Sequence, residues 1–334
     1  MITSDYNNYS NQQRQPLHER PLVARRTKIR DRFVEDGSPV DSLADAVSVF
    51  RRYLKEKRGT KWIHENGSKK AAHKYNGAYA DKKYARGMDG VKELHERSEG
   101  LQTVMLTLRA YEFNANDEGR AFVDHLQDLL ASNKSVMNAL RYHLTEKQGL
   151  DFGRLSVIQP HDTGYAHIQH GLWIEGEINR EDLQPAIDAH LRHCPVACEK
   201  NHRGQAITIR RASSERVSTG LFKELQKDLI GNGDCLTSND PHERRKYERL
   251  GAILMAANVA QWRPDRGLFR EAMDEGTEQY KRNNIDVCGK REGIQFSEGG
   301  EVHDPAELAG AGGESMMVEV SEVDPDDDPI PSVS

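Results

Sequence analysis

The residues best suited to chemistry lie in Gly164-Tyr165-Ala166-His167-Ile168-Gln169-His170-Gly171-Leu172-Trp173-Ile174. Pro160, Asp162 and Gly164 bound the stretch on one side and Glu175-Gly176-Glu177 on the other, which predicts a strand over Tyr165–Trp173. Side chains on a strand alternate between faces. His167 and Gln169 therefore share a face with Tyr165, while Ile168 and His170 point the other way. An imidazole nitrogen beside an amide oxygen can give two ligands to a divalent cation with open positions, an ion suited to polarising a phosphodiester. The same alternation equally suits polar residues on the solvent side of a half-buried sheet. The residues alone leave both readings open.

Other elements must position that strand. Thr103–Leu108 is short and β-rich, bounded by Gly100 and the polar Asn114-Ala115-Asn116-Asp117, and reads as a buried strand. Residues 119–145 place Phe122, Leu126, Leu129, Leu130, Val136, Met137 and Leu140 at helical spacing. Gly153–Ile158 predicts a second strand, joined through the Pro160–Gly164 turn to the third. Asn179-Arg180-Glu181-Asp182 opens a helix to about His193, Ala206–Arg211 predicts a fourth strand, and residues 218–230 and 243–261 predict helices. Strands with hairpin-like joins, separated by helices, indicate an α+β fold with an antiparallel sheet and flanking helices. Upstream, Ser42–Lys57 predicts a helix, and the basic, aromatic stretch Gly59–Gly87 suits either stacking on single-stranded nucleic acid or the apolar stripe of a helical hairpin. The chain thus divides into an N-terminal segment 1–40 expected to lack order, a basic helical region 41–100, a main domain 101–288 and an acidic tail 289–334 expected to lack order.

Charge adds a class of partner. The net charge of −6 hides a tail, residues 291–334, with 12 acidic residues against one Arg, while residues 51–86 hold 12 Lys or Arg against three acids. A basic segment beside an acidic tail is common in nucleic-acid proteins, although a charged run also suits a solvated face. No window nears eighteen apolar residues, and the polar start Met1-Ile2-Thr3-Ser4-Asp5 lacks the apolar run of a secretion signal, so a soluble, cytoplasmic protein without membrane partners is expected. Four cysteines give no disulfide framework. His193, Cys194, Cys198 and His202 cluster, but Pro195 interrupts them and their spacing is not that of zinc ribbons or fingers, which favours ordinary buried cysteines. Gly310-Ala311-Gly312-Gly313 lacks the Lys-Ser/Thr of a phosphate-binding loop.

Three segments in order carry a resemblance. Thr103–Leu108 with its polar sequel, Gly164–Gly171, and Met255–Gly267 with its Trp262-Arg263-Pro264 resemble the motifs of rolling-circle replication initiators of haloarchaeal plasmids and viruses, a branch of the histidine-hydrophobe-histidine nickases. The resemblance runs from roughly residue 80 to 275. It implies an antiparallel sheet of the kind these nickases share with RNA-recognition domains, a Mg2+ or Mn2+ ion, and a tyrosine that attacks DNA to form a covalent phosphotyrosine. His167 and Gln169 take the metal positions, Gln169 standing where the family has its second histidine; histidine-hydrophobe-glutamine variants occur in related viral nickases. Gln159 stands eight residues before His167, where the family tends to place a glutamate. Asp162 or His161 stand near enough in sequence to compensate. The stretch Leu221–Gly231 matches the family's nucleophile helix but has no tyrosine, which leaves Tyr247 as the candidate, with Tyr280 next. Arg244, Arg245 and Lys246 beside Tyr247 would favour its phenolate.

The resulting expectation is an initiator that nicks and rejoins single-stranded DNA at a replication origin, with host replication proteins as further partners. Arg263, Lys69, Lys70, Lys82 and Lys83 would hold the backbone. The competing expectation is a non-catalytic DNA-binding or copy-control protein on the same fold.

Overall fold

The computed structural model describes residues 16–24, 29–35, 37–64, 67–70, 75–98, 100–112, 119–202, 206–212, 214–230, 235–236, 238–265, 267–288 and 316–319, with backbone alone for 58–64, 67–70, 78, 200–201, 279–288 and 316–319. Two short strands, β1 (Val34–Glu35) and β2 (Ser38–Pro39), pair before helix α1 (Leu43–Gly59). A hairpin of β3 (Thr60–His64) and β4 (Gly67–Lys70) then leads to α2 (Gly77–Arg97). The main sheet begins with β5 (Leu101–Leu108), followed by α3 (Phe122–Leu140), β6 (Phe152–Pro160), β7 (Ala166–Glu175), α4 (Arg180–His193), β8 (Ile207–Arg211), α5 (Glu215–Gln226), α6 (Pro241–Ala256), β9 (Trp262–Pro264) and α7 (Leu268–Cys288). A last strand, β10 (Met316–Glu319), pairs with β3.

The main sheet has five strands in the order β8-β5-β7-β6-β9, antiparallel throughout, and the fold is α+β. Antiparallel sheets often leave one face to water. Here both faces are covered. Leu101, Leu155, Val157 and Trp173 pack under α2, α5 and α7 through Val91, Leu94, Phe222, Leu225 and Phe269. The opposite face, with Val104, Leu106, Ile158, Ile168 and Leu172, packs under α1, α3, α4 and α6. Under these helices His167 is buried and Gln169 half-buried, so neither lies on an open solvent face, which the strand pattern alone does not reveal.

Gly171 makes one of these approaches possible. A Cβ there would lie 2.4 Å from Leu225 Cδ1, so only glycine lets α5 rest on β7. At the β6–β7 turn Gly164 has φ +86° and donates its N–H to the His161 carbonyl at 2.8 Å, closing a tight hairpin. Asn179 caps α4 as its sequence suggests: its side chain accepts from Glu181 and Asp182 N–H groups, and Asp182 accepts from Asn179 N–H.

Several expectations are corrected. Part of the segment 1–40 is built into the core: Leu22, Phe33 and Val40 are buried, and Arg30 N–H donates to the Ala256 carbonyl. The remainder of that expectation, on residues 1–15, 25–28 and 36, lies outside the described residues, as does most of the tail 289–334. Within the tail, however, the apolar Met316-Met317-Val318 adds a strand beside β3. Gly59–Gly87 is not a helical hairpin: Thr60, Trp62 and Ile63 favour a strand, and among the described residues after Gly59 helix begins again at Gly77. The basic region is also not separate, since α1 and α2 complete the two cores of the main sheet. Tyr165 precedes β7 and turns to the α3 side, where it stacks on Phe122 at 4.3 Å, rather than sharing a face with His167. Among the described residues no helix is long and apolar enough to cross a membrane.

Candidate active site

The register of the β6–β7 hairpin sets Gln159 opposite His167 and Val157 opposite Gln169, and β5 sets Thr107 opposite Gln169. Directly opposed residues share a face. Thr107, Gln159, His167 and Gln169 thus form one polar patch beneath α5. His170 pairs with Ser156 and Leu106 on the other face, fully buried, with its Nδ1 2.7 Å from Ser156 Oγ.

His167 is 7% exposed, and its ring lies 4.6 Å from that of His161, which leaves the strand at the hairpin turn. Burial drives the His167 pKa well below its ordinary value, and His161, Arg109 and Lys227 add charge that acts the same way. His161 is lowered as well, by burial and then by Arg109, with Asp162 opposing. Both rings are therefore neutral and can offer a lone pair. His167 Nδ1 and Gln169 Oε1 are buried with no hydrogen-bond partner among the described residues. Two such orphans, an imidazole nitrogen and an amide oxygen on one face, fit a cation that accepts N and O donors. Among the described residues no group of three or more His, Cys, Asp or Glu could hold a metal, so any such ion would lean on His167, His161 and the Gln169 amide. Gln159 is 1% exposed and donates its Nε2 to the Leu225 carbonyl at 3.3 Å. Its amide N–H thus ties the hairpin to α5.

Arg109 follows β5 immediately. Because Leu108 pairs with Ile168, continuing the register brings Arg109 beside His167. Two buried histidines fix its backbone. Its N–H donates to His202 Nε2 at 3.2 Å, and its carbonyl accepts from His190 Nε2 at 2.9 Å. His202 Nδ1 in turn donates to the Cys198 carbonyl at 2.9 Å, so both of its nitrogens serve backbone groups and neither is free for zinc.

Tyr247 lies on α6 and is buried; its hydroxyl donates to Asp228 Oδ1 at 2.5 Å. Burial first, then the Asp228 carboxylate, push the phenol upward, which corrects the expectation that neighbouring cations favour the phenolate. Lys246 lies over the ring at 5.0 Å but pairs with Glu243. The helix covers the sheet face opposite His167 and comes near the His167 side only at the end of the sheet. Arg249 packs against the turn at Gly164, and Asp228 follows α5 just beyond Leu225 and Lys227. Tyr280 lies on α7, where its side chain is outside the described residues.

The cations expected to hold DNA divide. Arg263 pairs with Ser156 and so points to the His170 face, away from His167, although its side chain is exposed. Lys83 places its ammonium over Trp262 at 4.8 Å and Tyr79 at 5.2 Å, and is pushed down to about 8 by burial and by Arg86, Arg270 and Lys82. Lys82 is exposed on α2, and the side chains of Lys69 and Lys70 in β4 lie outside the described residues. Two strand positions from Thr107, a cleft of about 300 Å³ opens between α5 and the β5–β8 edge, lined by Thr103, Met105, Arg210, Leu221 and Glu224.

Residues 20–329 match the family described as "Putative rep protein (DUF1424)". The chain belongs to this rep family. An "Uncharacterized 36 kDa protein" of Halobacterium salinarum is 30% identical over 272 residues, covering 75% of this chain and 84% of its own length. A protein of the same description from Halobacterium sp. (strain GN101) is 26% identical over 278 residues, covering 76% of this chain and 83% of its own. No solved structure matches. For this rep-family chain, sequence reasoning overlooked Arg109 and Lys227 and mentioned His161 only as a possible substitute ligand. A signal for Arg109 exists, an arginine closing an otherwise apolar strand, but its meaning depends on the pairing with β7. Lys227 acquires its meaning only when α5 docks across that strand.

Proposed function

We propose that this rep-family protein is a replication initiator that nicks and rejoins single-stranded DNA at an origin through a tyrosine. The observation that carries the reading is the pair of orphaned donors, His167 Nδ1 and Gln169 Oε1, beneath α5 and beside cations. His167 and Gln169, with His161, would hold Mg2+ or Mn2+. Such an ion, when bound, polarises the scissile phosphate. The chain's own residues do the rest. Arg109 and Lys227 draw the backbone to this end of the sheet, and the cleft beside α5 gives the neighbouring nucleotide room. Tyr247 is the attacking group: its oxygen bonds to phosphorus and gives its proton to Asp228, while the bond from phosphorus to a deoxyribose oxygen breaks and that oxygen takes a proton from water. For this the phenol must leave its buried position together with Asp228, since a nucleophile works only within about 3–3.5 Å of phosphorus.

The test is incubation of the full chain with single-stranded origin oligonucleotides and Mn2+. A cleaved strand that forms only with metal and is lost on chelation supports the reading. Intact strands with every origin segment sink it. A second reading, a DNA-binding or copy-control protein on the same fold, draws on the buried, proton-holding environment of Tyr247 and on the lack of a carboxylate among the metal-site donors. It predicts tight strand binding without cleavage.

A further inference from the structure

We infer that the His167 face is first an oxyanion site: Arg109, assisted by Lys227, takes a backbone phosphate, and the divalent cation binds well only once that phosphate is in place. This rests on the reading above and adds an order and a cause to it.

Three observations lead there. The first is the fixing of Arg109. A residue just past a strand end is ordinarily loose. Here its N–H and its carbonyl are each bonded to a buried histidine ring, His202 and His190, and His190 Nδ1 is itself 2.8 Å from Ser132 Oγ. That much buried polar structure fixes the backbone of this half-buried residue, from which its guanidinium acts on His167. The second is that Arg109 Nε is buried without a hydrogen-bond partner among the described residues. A guanidinium nitrogen in that state lacks an acceptor, and phosphate oxygens are the acceptors its planar geometry suits. The third is the charge around the orphaned donors. The groups that act on His167 are His161, Arg109 and Lys227, with no carboxylate among them. Of the nearby acids, Glu224 pairs with Lys227 and Asp228 accepts from Tyr247, while Asp162 acts on His161 rather than on His167.

A free dication approaching His167 and Gln169 therefore meets the Arg109 guanidinium, a Lys227 ammonium shared with Glu224 and neutral ligands, with Asp162 acting through His161, whereas hard cations prefer carboxylates as direct ligands. A phosphodiester changes the balance. One of its non-bridging oxygens can satisfy Arg109 while the other supplies an anionic ligand beside the neutral His167 and Gln169. Linkage requires the effect to be mutual, so metal must tighten DNA binding by the factor by which DNA tightens metal binding.

The experiment titrates Mn2+ against the full-length chain by electron paramagnetic resonance, alone and with a saturating short single-stranded oligonucleotide of mixed sequence, correcting for Mn2+ bound by the oligonucleotide itself. The expected result is an Mn2+ affinity about tenfold or more higher with the oligonucleotide. In Arg109→Gln that gain should largely vanish while Arg109→Lys keeps part of it. Lys227→Gln, at an exposed position that leaves the fold alone, should reduce it and covers the case in which Arg109→Gln fails to fold. Equal Mn2+ affinity with and without the oligonucleotide overturns the inference and leaves the nickase reading standing. So does a full gain retained in both Arg109→Gln and Lys227→Gln. No Mn2+ bound in either condition, with His167→Ala indistinguishable from the unchanged protein, overturns both. A gain that depends on Arg109 in a protein that never cleaves DNA upholds the phosphate site and sinks only the nickase.

Discussion

At the residue scale the two histidines of Ala166-His167-Ile168-Gln169-His170 are one position out of phase and belong to different environments. His167 lies under α5 with Nδ1 unpartnered and Gln169 beside it, and His170 lies on the other face with Nδ1 against Ser156 and its own Nε2 unpartnered. His167→Ala should remove metal-dependent cleavage; it costs stability only through the cavity it leaves, because Nδ1 has no hydrogen bond to lose. His170→Ala should keep cleavage in whatever fraction remains folded but cost about 2–5 kcal/mol, because it empties a fully buried ring site and removes one of the two partners of Ser156 Oγ, the other being Arg154. Paired cleavage assays and denaturant melts check this, and equal loss of cleavage in both variants would mean that the face assignment fails. The alternation that separates these histidines was legible in the sequence. The protonated state of Tyr247 was not, because Asp228 lies nineteen residues away and reaches it only through the packing of the α5 end on α6.

At the element scale α5 is what turns a polar strand face into an enclosed site, and two glycines report on it with opposite signs. Gly171→Ala would drive a methyl into Leu225, lifting α5 and with it the Leu225 carbonyl that holds Gln159. Overpacking of this kind costs about 1–3 kcal/mol. Gly220, within α5, has open space where a methyl carbon would go, with nothing within 4 Å, so Gly220→Ala should stabilise by about 0.5–1 kcal/mol through helix propensity. Thermal melts of the two variants should move in opposite directions; a neutral Gly171→Ala would mean that α5 does not rest on β7 as described. Four of the five main strands could be read from alternation and turn residues. The fifth, Trp262–Pro264, could not: it is three residues long, ends in proline, and forms only because β6 offers an open edge. Nor could the cover on both sheet faces be read, since Thr107, Gln159, His167 and Gln169 look like residues meant for water.

At the scale of the whole molecule, charge and buried histidines set how the protein answers to salt and acid. The basic stretch 51–86 predicts that single-strand binding weakens steeply as salt rises, through counterion release. Affinity that stays flat from low to moderate salt would remove that stretch from the DNA path. Six described histidines, 125, 161, 167, 170, 190 and 202, have lowered pKa values with burial as the largest cause, His190 to about 4 and His125 to about 3. Below the unfolded value of about 6.5 the unfolded chain takes up protons that the native state refuses, so stability must fall as pH falls, from near 6.5 down past 4. Denaturant midpoints measured from pH 7.5 to 4.5 should drop continuously, and a level midpoint would mean that these rings are not buried neutral. The central claim is the covalent chemistry of the His167 face, and mass spectrometry of protein incubated with an origin strand and Mn2+ tests it most directly. The account predicts a nucleotide adduct on the peptide containing Tyr247, absent in Tyr247→Phe and in His167→Ala although both still bind the strand. An adduct on a different tyrosine, or a strand cleaved by Tyr247→Phe as well as by the unchanged protein, would contradict it.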